Sequence, residues 1–289
     1  MFEYWDTFKN GVVDTFNWEL RQIVFDVDWN QNYFYGLIII SLVVMLLEVF
    51  FPWRKNQKFL RRDFFLDTWY MFFNFFVFSI VLNALFNVSN LIFSKLGLDW
   101  SSWALINKDQ QSSWWVILIY FILNDFVQWL THWCLHRFNF LWRFHKVHHS
   151  VKEMGFAAHL RYHWAENIFY KPLKSLAILL LIGADPEQAF VVHFGTILIG
   201  HLNHANLNWS YGPLKYLFNN PVMHLYHHAK RLPDDRLKGM NFGISLSIWD
   251  YFFKTSFLPE KIDANEVLGF KGDEEFPESF TSQITSGWK

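Results

Sequence analysis

The feature that most limits the possible folds of this chain is the apolar run YFYGLIIISLVVMLLEVFF, which extends from Tyr33 to Phe51. Glu48 is its only charged side chain. Because an α-helix rises about 1.5 Å per residue, a run of this length is long enough to cross the hydrocarbon core of a bilayer. The composition agrees, since 52% of the 289 residues are hydrophobic and 21% are aromatic, an aromatic share well above that of soluble domains. The run therefore predicts a transmembrane helix.

Further apolar segments predict further spans. The stretch FFLDTWYMFFNFFVFSIVLNALF contains Asp67, Asn74 and Asn83, and such polar groups normally face the interior of a helix bundle. A third span, WWVILIYFILNDFVQWLTHW, begins at Trp114. YKPLKSLAILLLIGA and AFVVHFGTILIGHL are interpreted as two short helices joined by DPEQ, which form either a full hairpin or a re-entrant one.

Together these segments predict an all-α fold, an integral membrane helical bundle of about four to five spans or hairpins. We expect an N-terminal segment at 1–32, a transmembrane domain at 33–255 and a polar surface tail at 256–289. The first ten residues lack the basic start and apolar core of a cleaved signal, so insertion is expected to depend on the internal spans.

The distribution of basic residues predicts the orientation. The loop WRKNQKFLRR, between the first two spans, holds five lysines and arginines within residues 54–62. The positive-inside rule assigns such a loop to the cytoplasm. Counting crossings from there places all the histidine-rich motifs described next at the same cytoplasmic face, where they are expected to form a metal-binding cap.

Three motifs concentrate the histidines: HWCLH at 132–136, HKVHH at 145–149 and HLYHH at 224–228. Residues three or four apart share one face of a helix, so each motif directs its imidazoles toward one point. Imidazole suits iron, copper, zinc and nickel. Eight histidines exceed the roughly four ligands of one tetrahedral ion, so they indicate two ions in a shared cage. A single HxxxH is more often incidental, and the coincidence of three motifs carries the inference. His193, in an apolar helix, is expected to be a packing residue.

Charge and cysteine content exclude several classes. The formal net charge of −1 argues against a nucleic-acid partner. Cys134 is the only cysteine, so the chain can form no internal disulfide, cysteine-rich zinc site or four-cysteine iron–sulfur cluster.

From Asp125 to Thr255 the chain resembles the fatty acid hydroxylase and sterol desaturase superfamily of membrane di-iron enzymes. The resemblance rests on DFVQWLTHWCLH, FHKVHHS, LRYHWAEN, HANLNWSYGPLKYLFNNPVMHLYHH and NFGISLSIWDYFFKT, which occur in that order. His163 and His201 match at positions where members vary, and HLRYH could supply His159 or His163 to the cage. The metal ligands that the resemblance implies are His132, His136, His145, His148, His149, His204, His224, His227 and His228.

The resemblance also implies the chemistry. Attack on an unactivated alkyl C–H bond requires a metal oxidant, and zinc has no redox chemistry, although it can replace iron in purified protein. We therefore expect two iron ions, dioxygen, and hydroxylation or desaturation of a membrane lipid or sterol. The chain has no GxGxxG motif and cannot hold an iron–sulfur cluster. An external electron donor of cytochrome or ferredoxin type is implied.

Two carboxylates are candidates for supporting roles. Asp125 lies two helical turns from His132 and is expected to orient a histidine from a neighbouring helix. Glu166 is a similar candidate, with an ion pair to Arg161 or Lys171 as the alternative. The segment NFGISLSIWDYFF is interpreted as an interfacial amphipathic helix with Trp249 and Phe252 at the depth of the lipid headgroups.

Three other functions are weighed. A zinc-dependent membrane hydrolase would be expected to contain a motif such as HExxH, which is absent. A histidine-rich metal or proton transporter would be expected to spread ionisable residues through its spans and to show internal repeats. A bis-histidine haem cytochrome needs only two histidines per haem. The oxygen-dependent lipid enzyme is favoured over all three.

Overall fold

The computed structural model describes residues 2–98, 114–168 and 186–288. Regular secondary structure in these ranges is helical, and strand-like pairing is limited to three isolated bridges. This confirms the all-α prediction for the described part of the chain. The helices are α1 (Phe2–Ile23), α2 (Tyr33–Phe50), α3 (Phe64–Phe72), α4 (Phe78–Lys95), α5 (Trp114–Arg137), α6 (Asn139–His149), α7 (Pro186–His204), α8 (Pro221–His227), α9 (Ile248–Phe252) and α10 (Phe280–Ile284).

Among the described residues, three helices are long and apolar enough to cross a membrane: α2, the continuous helix Phe64–Lys95 and α5. They correspond to the first three predicted spans. The second extends beyond the predicted segment because α3 and α4 are joined through a π-helical turn at Phe73–Val77. Inside this turn the Asn74 amide donates to the carbonyls of Leu160 (3.1 Å) and Tyr162 (2.9 Å). The π-helical turn thus lies where the second candidate span contacts the backbone of residues 160–162.

The fourth predicted element is only partly described. The segment YKPLKSLAILLLIGA lies outside the described residues. The segment after it forms the regular helix α7, which is not among the three candidate spans. The hairpin therefore stays a prediction.

The N-terminal segment is part of the bundle, because α1 packs along α4. A Cβ added at Gly11 would lie 2.9 Å from the Ala84 Cα, which shows how closely the two helices approach. Ser79 also donates to Glu19 (2.9 Å).

The basic loop and the histidine motifs lie at the same end of the bundle. The Arg54 amide donates to the Asn206 side chain (2.9 Å), and its guanidinium donates to the Met154 carbonyl (3.0 Å). Glu48, at the end of α2, accepts from the amides of Phe156 (3.1 Å) and Asn206 (2.7 Å). One buried carboxylate thus fixes two chain segments that flank the histidines.

The predicted C-terminal surface tail is not wholly exposed, because residues 268–270 and 273 pack against the protein. Leu268 and Phe270 are buried, and the Gly269 amide donates to the His228 carbonyl (3.0 Å). Buried Asp273 pairs with Lys152 and with Lys230. The few apolar side chains in this acidic stretch cover the outer side of the last histidine motif, so the stretch packs despite its polar composition.

Candidate metal centre

The histidines are presented by the ends of four helices that meet below the apolar bundle. His132 and His136 lie on the last two turns of α5, and the HKVHH motif ends α6. His204 is the last residue of α7. The short helix α8 begins at Pro221. Asn220 caps its N-terminus, because its side chain accepts from the Met223 amide (3.0 Å).

These histidines form two buried groups, and in each the potential ligand atoms lie within 4.8 Å of one another. The structure thus brings together all nine histidines that the resemblance singled out. Group 1 is His132, His136, His145, His149 and His227. Group 2 is His148, His204, His224 and His228.

Five of the nine rings are oriented by an oxygen acceptor at Nδ1. His145 contacts the Glu166 carboxylate at 2.8 Å, and the other four contact backbone carbonyls. Because Nδ1 then carries the proton, Nε2 is left with a lone pair that faces the group. The backbone pairs are His132 with Phe242 (2.8 Å), His227 with Met240 (2.7 Å), His148 with Arg161 (3.1 Å) and His204 with Gly200 (2.8 Å).

The inward nitrogens fit a bound cation. Nε2 of His148 lies 3.3 Å from Nε2 of His204, although both rings donate through Nδ1 and so present only lone pairs to each other. Two acceptors at this distance repel unless a positive charge lies between or beside them. In group 1, Nε2 of His132, His145 and His227 has no hydrogen-bond partner among the described residues. A metal ion would satisfy these buried atoms.

Burial also keeps the rings neutral. The pKa values of His145, His148 and His149 on α6 are well below 6.5, first because burial penalises the charged imidazolium and then because neighbouring histidines repel a second charge. The same holds for His224 and His227. Neutral imidazole is the form that binds metal.

Glu166 occupies the supporting position that the sequence suggested. Its Oε2 accepts from His145 and its Oε1 accepts from the His163 amide (3.2 Å). Burial raises the pKa of this carboxyl to about 8, against the opposing effect of the His163 amide. The alternative ion pair with Arg161 is not formed, because that guanidinium pairs with Asp63 (3.0 Å) and Asp67 (2.9 Å). Lys171 lies outside the described residues.

Asp125 does not orient a histidine, which corrects the prediction. Its carboxylate accepts from the amides of Ser245 (2.9 Å) and Leu246 (3.2 Å) and from the Trp249 indole (3.0 Å). The Trp249 indole is therefore engaged inside the protein, and α9 is a single turn that leaves Phe252 exposed.

Sequence reasoning missed Asp250, which holds the same loop. It accepts from the amides of Phe242 (2.9 Å) and Gly243 (2.7 Å). The Phe242 carbonyl in turn orients His132, so Asp250 supports group 1 through the backbone. The sequence feature that could have indicated this role is the position of Asp250 as the only charged residue in the apolar run SIWDYFF.

The remaining histidines lie outside both groups. His201 contacts Ser41 (3.2 Å) and His159 (2.9 Å), and the His159 ring lies 5.2 Å from that of His204. His163 Nδ1 accepts from the Ala165 amide (3.0 Å). His193 packs on aromatic rings, with Tyr33 at 5.4 Å, as expected.

A cavity of about 90 Å³ lies between the two groups. His132 and His145 of group 1 and His148 and His204 of group 2 all line it, together with Glu166. A small chemical group placed there would contact both halves of the centre.

Comparison with known proteins agrees with this geometry. Residues 117–255 match the model of the fatty acid hydroxylase family. The chain is 29% identical over 151 residues to ornithine lipid hydroxylase OlsE of Rhizobium tropici, which covers 52% of this chain and 44% of that protein. It is 28% identical over 193 residues to alkylglycerol monooxygenase of Caenorhabditis elegans, covering 65% and 36%, respectively. Fatty acid 2-hydroxylase of Rattus norvegicus is 26% identical over 158 residues, covering 50% and 40%. The chain thus spans less than half of the length of each relative. No solved structure matches it.

Proposed function

Because this chain belongs to the fatty acid hydroxylase family, we propose that it is a membrane-bound lipid hydroxylase. The reaction inserts one atom of dioxygen into a C–H bond of a lipid alkyl chain. The other oxygen atom leaves as water, with two electrons and two protons from an external donor of cytochrome or ferredoxin type. Desaturation of the same chain, or attack on a sterol, is an outcome that the experiment below would reveal.

Groups 1 and 2 would each hold one iron ion. Iron bound there would supply the redox chemistry with dioxygen that no side chain can provide. Zinc would bind the same imidazoles without supporting the reaction. The opposed Nε2 atoms of His148 and His204 are the single observation that carries this proposal, because two lone pairs that face each other favour a bound cation, and both rings border the cavity.

The protein itself contributes orientation and a dry environment. The Nδ1 acceptors fix five rings before any ion binds, so little reorganisation is needed on binding. Glu166 gives the Nδ1 atom of His145 a partner, which holds the ring in place with its Nε2 directed toward group 1. All nine histidines are buried, which restricts the access of water to the reacting groups.

We further propose a multi-pass arrangement with the histidine groups on the cytoplasmic side. The support is the basic loop, which contacts the chain beside the histidines, together with the three apolar helices. Electron donors dissolved in the cytoplasm would then have direct access to this end.

Membranes from cells that produce the protein, incubated with ¹⁸O₂ and an electron-donor system, test the function. Lipid extracts compared by mass spectrometry with those from cells lacking the protein should contain a product that carries ¹⁸O. His148→Ala and His227→Ala should abolish it, whereas Asn90→Ala, at an exposed position of α4 that lines neither cavity, should retain it. An unlabelled alkene would indicate desaturation. Product formed without oxygen, or equal product from His148→Ala, would refute the oxygenase.

A further inference from the structure

The cavity between the two groups continues into a larger one. A cavity of about 500 Å³ shares with it the lining residues Gln128, His159, Tyr162 and Asn167. The larger cavity runs between the bundle helices, where Trp18 of α1, Phe76 beside α4 and Ile197 of α7 contribute apolar walls. An alkyl chain could lie in this space with one end at the histidines.

Gln128 stands at the junction of the two cavities. It precedes His132 by four residues on α5, so it lies on the same helix face about 6 Å further along the axis. The side chain is only 4% exposed, and its amide nitrogen has no hydrogen-bond partner among the described residues. A buried donor without a partner is costly, so its presence beside a cavity points to a ligand that accepts its hydrogen bond.

Asn167, the other amide side chain that lines both cavities, is already engaged. The Asn167 side-chain nitrogen donates to Asn74 (3.0 Å), and the Asn74 nitrogen donates to the Leu160 and Tyr162 carbonyls. These bonds fix the wall opposite α5. Of the two amides that line both cavities, Gln128 is therefore the one whose donor is available to a substrate.

We propose that Gln128 donates a hydrogen bond to an oxygen atom of the substrate, close to the carbon that is oxidised. This inference rests on the proposed function and specifies its substrate class. The substrate is an amphiphilic lipid attacked within a few bonds of an ether, carbonyl or hydroxyl oxygen. Its alkyl chain occupies the larger cavity. An enzyme that oxidises a methylene in the middle of a long chain would instead be expected to have an apolar side chain at position 128.

The location of the centre agrees with this substrate class. The histidines lie at the end of the bundle that carries the basic loop, where α5 and α7 terminate. In a bilayer, the ends of spanning helices lie near the boundary between headgroups and acyl chains. The polar junction of a membrane lipid is found at that depth, whereas mid-chain methylenes lie deeper.

Binding of 1-O-hexadecylglycerol tests the proposal without turnover. The probe would be radiolabelled and titrated into the purified full-length protein in nanodiscs, in metal-free and metal-loaded forms. Gln128→Leu, which keeps the size but removes the donor, should weaken binding about five-fold, the effect of one neutral hydrogen bond. Octadecane, which has no oxygen, should bind both proteins equally. Asn90→Leu, an exposed amide of α4 outside the cavity, is the matched control and should bind like the wild type.

Equal affinity of Gln128→Leu and the wild type for hexadecylglycerol would overturn the proposal, as would an equal loss in Asn90→Leu. Metal content identifies a variant that has failed to fold, in which case Gln128→Met replaces it and the same outcomes apply. Gln128-dependent binding in a protein that forms no ¹⁸O product would refute the hydroxylase but not this site. Labelled product with binding independent of Gln128 would refute this inference alone.

Discussion

The Glu166 carboxylate lies 2.8 Å from Nδ1 of His145, on the side of the ring opposite the group 1 nitrogens. Removing this partner would free the ring to rotate and weaken its Nε2 as a ligand. We expect Glu166→Ala to lower metal affinity roughly 10- to 100-fold and Glu166→Gln, which keeps an acceptor oxygen, to lower it less. Competition with a chelator measures the affinity. Glu260→Ala, an exposed carboxylate, serves as the control. Unchanged affinity in Glu166→Ala would contradict the supporting role.

The division into two groups predicts separable metal ions. His227→Ala should reduce the metal content of group 1, and His224→Ala that of group 2, so each variant should retain about one ion. The double variant should retain none. Elemental analysis of folded, membrane-inserted protein measures the content, with His193→Ala as the control. Loss of both ions from every single variant would show instead that the groups form one cooperative site.

Acidification should release the metal and destabilise the metal-free protein. The pKa values of His145, His148 and His149 are depressed below 6.5 by burial, so below that pH the unfolded chain binds protons that the folded chain does not. The free energy of unfolding therefore falls as the pH drops, by about 1.4 kcal/mol per pH unit for each such histidine. Thermal melts of the metal-free protein between pH 8 and pH 5 would show this, and a flat profile would contradict it.

The histidine motifs were predictable because their spacing is local, but their division was not, since HKVHH and HLYHH each contribute to both groups and not to one point as expected. Residues three and four apart on a helix face the same way whatever the rest of the chain does, so the motifs at 132–136, 145–149 and 224–228 were evident from the sequence. His204 came only from the family resemblance, since it has no partner histidine at helical spacing toward group 2.

The supporting contacts were not predictable for the opposite reason. Most Nδ1 acceptors are backbone carbonyls, such as those of Phe242 and Met240. Because every residue has a backbone carbonyl, the sequence does not indicate which one accepts the bond. Asp125 bonds to Ser245, 120 residues later, so its role depends on tertiary folding. The packed C-terminal stretch was missed because its acidic composition conceals a few buried apolar residues.

Two glycines of α7 provide a matched steric test. A Cβ at Gly200 would lie 2.2 Å from the His159 ring, whereas a Cβ at Gly195 would meet nothing within 4 Å. Gly200→Ala should displace His159, which borders the cavity and the His204 ring, and so lower both activity and melting temperature. Gly195→Ala should be neutral or stabilising, by up to about 1 kcal/mol, because alanine favours the helix. Equal behaviour of the two variants in thermal melts would refute this packing argument.

The last prediction concerns the side of the membrane on which the histidine groups lie, which follows from the number of predicted membrane crossings. In a Cys134→Ser background, single cysteines replacing Lys58 and Arg231 should both resist a membrane-impermeant maleimide added outside intact cells, because the basic loop and the last histidine motif share one end of the bundle. A cysteine replacing Lys108, which lies outside the described residues in the sequence between the second and third spans, should react. Permeabilised cells provide the control, since positions 58 and 231 should then label. Equal labelling of positions 231 and 108 in intact cells would mean that the number of crossings between them is even, and the proposed cytoplasmic position of the histidine groups would be wrong.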